Sequence, residues 1–153
     1  MEHERQCGTI LVVDDNPDIC KLAKLFLENS GYMVLTAADG DEGLRLYEEQ
    51  RRSIALLLCD VRMPNMGGLE LADRVLGMDS QLPVLLISGD ADFDYGPLEC
   101  VPKPFRPDEL LKTVSRVLNM SRHEKRAASA APTMELAREH ALHDAHAAID
   151  RVN

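Results

Sequence analysis

Five polar residues of this chain fall where short apolar runs stop. ILVV at 10–13 gives way to Asp14 and Asp15, IALLLC at 54–59 to Asp60, PVLLIS at 83–88 ends on Ser88, and a weak apolar stretch at 99–102 is followed by Lys103. Three carboxylates gathered in one place repel one another and raise their own pKa values unless a cation compensates them. A divalent metal does this economically. A hard octahedral ion such as Mg2+ is commonly held by one or two carboxylates with carbonyl and water oxygens, which leaves positions for phosphoryl oxygens. An aspartate is also a nucleophile that forms an aspartyl phosphate when metal and cation neutralise the incoming group. Lys103 adds a point-charge donor for phosphate and Ser88 a neutral hydroxyl donor. Together these groups describe a phosphoryl-acceptor site.

Taken singly, each also fits an ordinary role. Asp14 or Asp15 suits a helix cap, Asp60 a strand end, Ser88-Gly89 a turn and Lys103-Pro104 a solvated loop. The chemistry therefore depends on the elements that would bring them together. Asn16 followed by Pro17 is an N-cap with the favoured first-turn proline. Ile19, Leu22, Ala23 and Phe26 then recur at helical spacing, predicting a helix over 17–29 that ends at Ser30-Gly31. MVLTA (33–37) reads as a second strand, and Asp39-Gly40-Asp41 opens a helix over about 41–50 that buries Leu44 and Tyr47. Further helices are expected over about 68–77 and 107–119, the latter with an inner stripe of Leu110, Leu111, Val114, Val117 and Leu118. Strands that are apolar without alternation are typical of a parallel sheet covered on both faces. Right-handed crossovers then make a doubly wound α/β sandwich. In such sheets ligands bind beyond the carboxyl ends of the strands, which is where all five polar residues lie.

At 153 residues the length fits one domain with a tail, and leaves no room for a second full-sized output domain. A chain that is 45% hydrophobic but only 4% aromatic, without Trp, can build one aliphatic core. The net charge of −9 belongs entirely to residues 1–120, where 21 acidic residues face 12 basic ones. An acidic body repels phosphate backbones, so direct nucleic-acid binding is not expected. No apolar run approaches the roughly 18 residues of a membrane span, and the N-terminus lacks a signal-peptide pattern, so the reading is cytoplasmic. Cys7, Cys20, Cys59 and Cys100 show no metal-ligand spacing and read as reduced thiols. The expected organisation is a domain over 1–120, a linker over 121–132 and a helical tail over 133–153. The tail's narrow stripe of Leu142, Ala145, Ile149 and Val152 suits homodimerisation or docking on its own domain. His140, His143 and His146 step around that helix instead of converging on a metal.

The stretches TILVVDDN (9–16), LLLCDVRMPNMGGLEL (56–71), PVLLISG (83–89) and VPKPF (101–105) resemble the response-regulator receiver domain of two-component signalling, over about residues 8–120. The resemblance implies a flavodoxin-like five-stranded parallel sheet of order 2-1-3-4-5. It implies that Asp60 takes a phosphoryl group from a sensor histidine kinase or a histidine phosphotransfer protein. Asp15 and Asp60 would bind Mg2+ directly, Asp14 partly through water, and the backbone carbonyl of Arg62 would complete the set. Ser88 would be the switch hydroxyl, Lys103 the phosphoryl's partner, and Lys103-Pro104 a cis peptide.

Three departures stand out. Gly67-Gly68 replaces the usual Asp-Gly, which is expected to loosen the start of the third helix. Cys100 replaces the switch aromatic, and the segment between Ser88 and Lys103 is short and rich in helix breakers, predicting a shortened or missing fourth helix. Residues 90–98 are then expected to be irregular and mobile, with Arg62 paired to Asp90 at rest. A stand-alone phosphoaccepting switch, acting through protein contacts or onward phosphotransfer, is the leading reading. The alternative is a non-phosphorylated pseudo-receiver that serves as an interaction scaffold. A hydrolase with an aspartyl intermediate would want a second Asp two residues after its nucleophile on the first strand, and a dinucleotide site would want a Gly-rich loop there.

Overall fold

A computed structural model describes residues 8–90 and 93–128, with side chains to residue 121. Five strands run β1 (Thr9–Val13), β2 (Met33–Ala37), β3 (Ile54–Asp60), β4 (Val84–Ser88) and β5 (Glu99–Pro102), all parallel, in the order β2-β1-β3-β4-β5. Among the described residues four helices connect or follow them: α1 (Pro17–Asn29), α2 (Gly40–Gln50), α3 (Gly68–Met78) and α4 (Pro107–Ala128). The reversal of strand order lies between β1 and β3, so the chain enters and leaves the middle of the sheet where Asp14 and Asp60 emerge.

Alternate residues of each central strand serve opposite faces, and both faces are apolar because helices cover both. Leu11, Val13, Leu57, Cys59 and Leu86 join Tyr47, Leu71, Ala72 and Val75 of α2 and α3. Ile10, Val12, Leu58, Leu85 and Ile87 join Ala23 and Leu27 of α1 and Leu110 and Val114 of α4. The Asn16 side chain accepts from the Asp18 amide at 2.9 Å and Pro17 opens α1, as the sequence predicts.

Among the described residues between β4 and β5 none is helical: residues 93–98 are irregular, with bends and a turn. The irregularity expected there is present, but the segment is anchored, since Tyr95 is buried in the core cluster of α2 and α3. Two further expectations need correction. The linker does not start at 121, because α4 continues to Ala128; the stretch contains no Gly or Pro, and its Ala, Lys, Arg and Glu are as favourable for helix as for linker. Nor does Gly67-Gly68 only loosen α3. Gly67 gives no side-chain cap, but a Cβ on Gly68 would lie 2.1 Å from the Asp60 carbonyl oxygen, so glycine permits a close approach that seats the helix against the site. The tail over 133–153, with its stripe and its three histidines, lies outside the described residues.

Candidate functional site

Asp14, Asp60 and Ser88 are 1%, 5% and 3% exposed, buried polar residues in a core that is otherwise almost wholly apolar. Asp14 follows β1 directly; Asp60 and Ser88 are the last residues of β3 and β4, and neighbouring strands in register bring these ends together. Lys103 follows β5 directly and precedes the cis Lys103-Pro104 bond, its amide donating to the Ser88 carbonyl at 2.8 Å. Its ammonium lies 3.0 Å from Asp14 Oδ2 and 3.2 Å from Asp60 Oδ1. Asp15 is exposed beside them, and one carboxylate oxygen from each of Asp14, Asp15 and Asp60 falls within 4.8 Å of the others.

The electrostatics are those of too few cations. Burial, and then the neighbouring Asp14, push the Asp60 carboxyl up to about 6, although Lys103 and the Arg62 amide hydrogen bond oppose this. Burial alone would lower the Lys103 ammonium, but its contacts with Asp14 and Asp60 outweigh that and raise it, so it stays charged. Asp14 accepts the Asn16 amide at 2.9 Å on Oδ1. Its Oδ2 is fully buried and, among the described residues, is met by the Lys103 ammonium alone. Three carboxylates that share one ammonium form a hard-oxygen set that fits a small divalent cation. A cleft of about 520 Å³ opens alongside, walled by Asp14, Asp15, Lys21, Lys24, Thr36 and Glu42.

Four of the five expected residues thus meet within ionic or strand-end distance, and Asp15 stands at the rim. Ser88 is adjacent, but its hydroxyl is engaged elsewhere. It lies 2.8 Å from the Tyr95 hydroxyl and accepts the Asp90 amide at 3.0 Å. The expected Arg62–Asp90 ion pair is not among those formed by the described residues; Asp90 turns its backbone toward Ser88 while Arg62 is exposed. Tyr95 is the residue that sequence reasoning missed. The only signal for it was an aromatic pair, Phe93 and Tyr95, in a loop otherwise built of Asp, Gly and Pro.

A family model described as "Response regulator receiver domain" matches residues 10–115. Among curated proteins, the alkaline phosphatase synthesis transcriptional regulatory protein PhoP of Bacillus subtilis is 34% identical over 83% of this chain and 52% of its own length. The chain spans about half the length of the curated relatives it matches. Among solved structures, chemotaxis protein CheY4 of Vibrio cholerae is 33% identical with a TM-score of 0.64, covering 72% of this chain and 98% of that one. Response regulator TrrA of Thermotoga maritima, solved in complex with Mg2+-BeF, is 30% identical with a TM-score of 0.66 over 72% and 98%.

Proposed function

The chain belongs to the response-regulator receiver family, and from that premise we propose that Asp60 is its phosphoacceptor. The donor is a phosphohistidine of a sensor histidine kinase or a histidine phosphotransfer protein. The observation that carries the reading is a buried carboxylate at a strand end, 3.2 Å from a lysine ammonium and within reach of two further carboxylates. One oxygen of Asp60 attacks phosphorus, the P–N bond to the donor imidazole breaks, and its electron pair returns to the ring nitrogen. Lys103, charged and shared with Asp14, meets the phosphoryl oxygens as a point charge. Asp15 and Asp60, with Asp14 and the Arg62 carbonyl, would hold Mg2+, which when bound supplies the positive charge the phosphoryl oxygens need. TrrA, solved with Mg2+ and a beryllium fluoride group, supports this by similarity. The output is a changed protein–protein contact or onward phosphotransfer. The transcriptional role named for PhoP belongs to a protein about twice as long.

Incubation with acetyl phosphate and Mg2+ followed by intact mass tests the reading. A phosphoryl increment in the wild type that is absent from Asp60→Asn is expected. No increment in the wild type, or one that survives the substitution, favours the scaffold reading, to which the missing helix and Cys100 also point.

A further inference from the structure

We propose that Tyr95 is a positioning residue for Ser88: its hydroxyl latches the Ser88 hydroxyl into the β4–β5 loop at rest and releases it when a group on Asp60 draws Ser88 away. The inference rests on the phosphoacceptor reading and deepens it.

Ser88 Oγ has one proton to give and two lone pairs to offer. It accepts the Asp90 amide at 3.0 Å, is hydrogen-bonded to the Tyr95 hydroxyl at 2.8 Å, and has the Asp90 carbonyl at 3.5 Å. Among the described residues its hydrogen-bond partners are Asp90 and Tyr95, and Asp60 is not one of them. A hydroxyl held this way must exchange a partner before it can serve a phosphoryl oxygen. Tyr95 is placed by packing and not by that bond alone. Its ring is 6% exposed, lies 5.1 Å from the Phe93 ring, and belongs to the apolar cluster beneath β4. The turn that returns it to the sheet is closed by the Gly96 amide donating to Asp94 Oδ1 at 2.8 Å, with Gly96 at φ 70°. Cys100, on β5, has no ring to offer, so the aromatic nearest the hydroxyl comes from the loop. When Ser88 leaves, a buried phenol loses its partner, and an unpartnered buried hydroxyl is unfavourable. Tyr95 then moves toward water and takes residues 93–98 with it. The state of Asp60 is thereby written into the order of the loop that replaces a helix.

The test measures affinity for beryllium fluoride in the presence of Mg2+ for wild type, Tyr95→Phe, Ser88→Ala and the double variant. Tyr95→Phe keeps the ring and removes only the latch, so tighter binding by about 3- to 10-fold is expected, as for loss of one competing hydrogen bond. In the Ser88→Ala background the same change should have no effect. Equal affinity of wild type and Tyr95→Phe, or tightening that persists without Ser88, overturns the latch and leaves the phosphoacceptor reading standing. Absence of binding by all four proteins overturns that reading and the latch with it. Hydrogen exchange on the wild type needs no variant: the amides of Asp90, Phe93 and Gly96 should lose protection when beryllium fluoride binds, and unchanged protection there also overturns the proposal.

Discussion

Asp60 keeps its charge against its surroundings, and the consequence can be read as a pH dependence. Its carboxyl stands at about 6 in the folded chain against an ordinary value of 3.8, so between those values the folded protein holds a proton the unfolded chain has lost. Stability therefore falls as pH rises through that window, and above it an ionised buried acid remains. Asp60→Asn should stabilise the metal-free protein at pH 7.5, by on the order of 2 kcal/mol, and the gain should vanish toward pH 4; thermal midpoints in chelator across that range measure it. Added Mg2+ should raise the wild-type midpoint at neutral pH, because a ligand that binds only the folded state stabilises it. That rise should be lost in Asp15→Asn and Asp60→Asn and smaller, but present, in Asp14→Asn. Equal rises in all of them would refute the metal site.

The elements work by bringing strand ends together, and small backbone clearances decide how well. Gly68→Ala forces a methyl group to within 2.1 Å of the Asp60 carbonyl oxygen. It should lower the thermal midpoint strongly and weaken Mg2+ binding as well, since α3 and the site share that contact. Asn16→Ala removes only the α1 cap and should cost about 1 kcal/mol with Mg2+ affinity unchanged, a contrast that urea unfolding and a titration would expose. Periodicity and strand-end chemistry made legible the doubly wound parallel sheet, the four helices, and the convergence of Asp14, Asp60, Ser88 and Lys103; the strand order and the missing helix came from the family resemblance. Tyr95 was not legible, because residues 89–98 have no period and a turn can aim an aromatic anywhere. The continuation of α4 was not legible either, because SRHEKRAA suits a helix and a solvated linker equally. The Arg62–Asp90 pair failed for a related reason: sequence spacing places two loops side by side but does not say which backbone groups claim a hydroxyl first.

At the scale of the molecule, the two apolar layers are joined through one sheet, so neither can loosen alone. Leu85→Ala and Leu86→Ala open opposite faces of the same strand, and each should cost about 2–5 kcal/mol in a single cooperative urea transition; biphasic unfolding of either would show the layers to be separable. Among the described residues α4 is the helix that leads out of that body. Its first three turns are pinned by Leu110 and Val114 in the core and by Arg116 paired with Glu99 of β5, while its axis runs on unbroken to Ala128. The ten residues past Leu118 add about 15 Å of rod. A rod fixed at its root turns angle into distance: the whole helix of 22 residues is about 33 Å long, so each tenth of a radian at β5 moves its far end by about 3 Å. Mechanically the helix is a pointer, and the sheet edge next to Lys103 is its pivot.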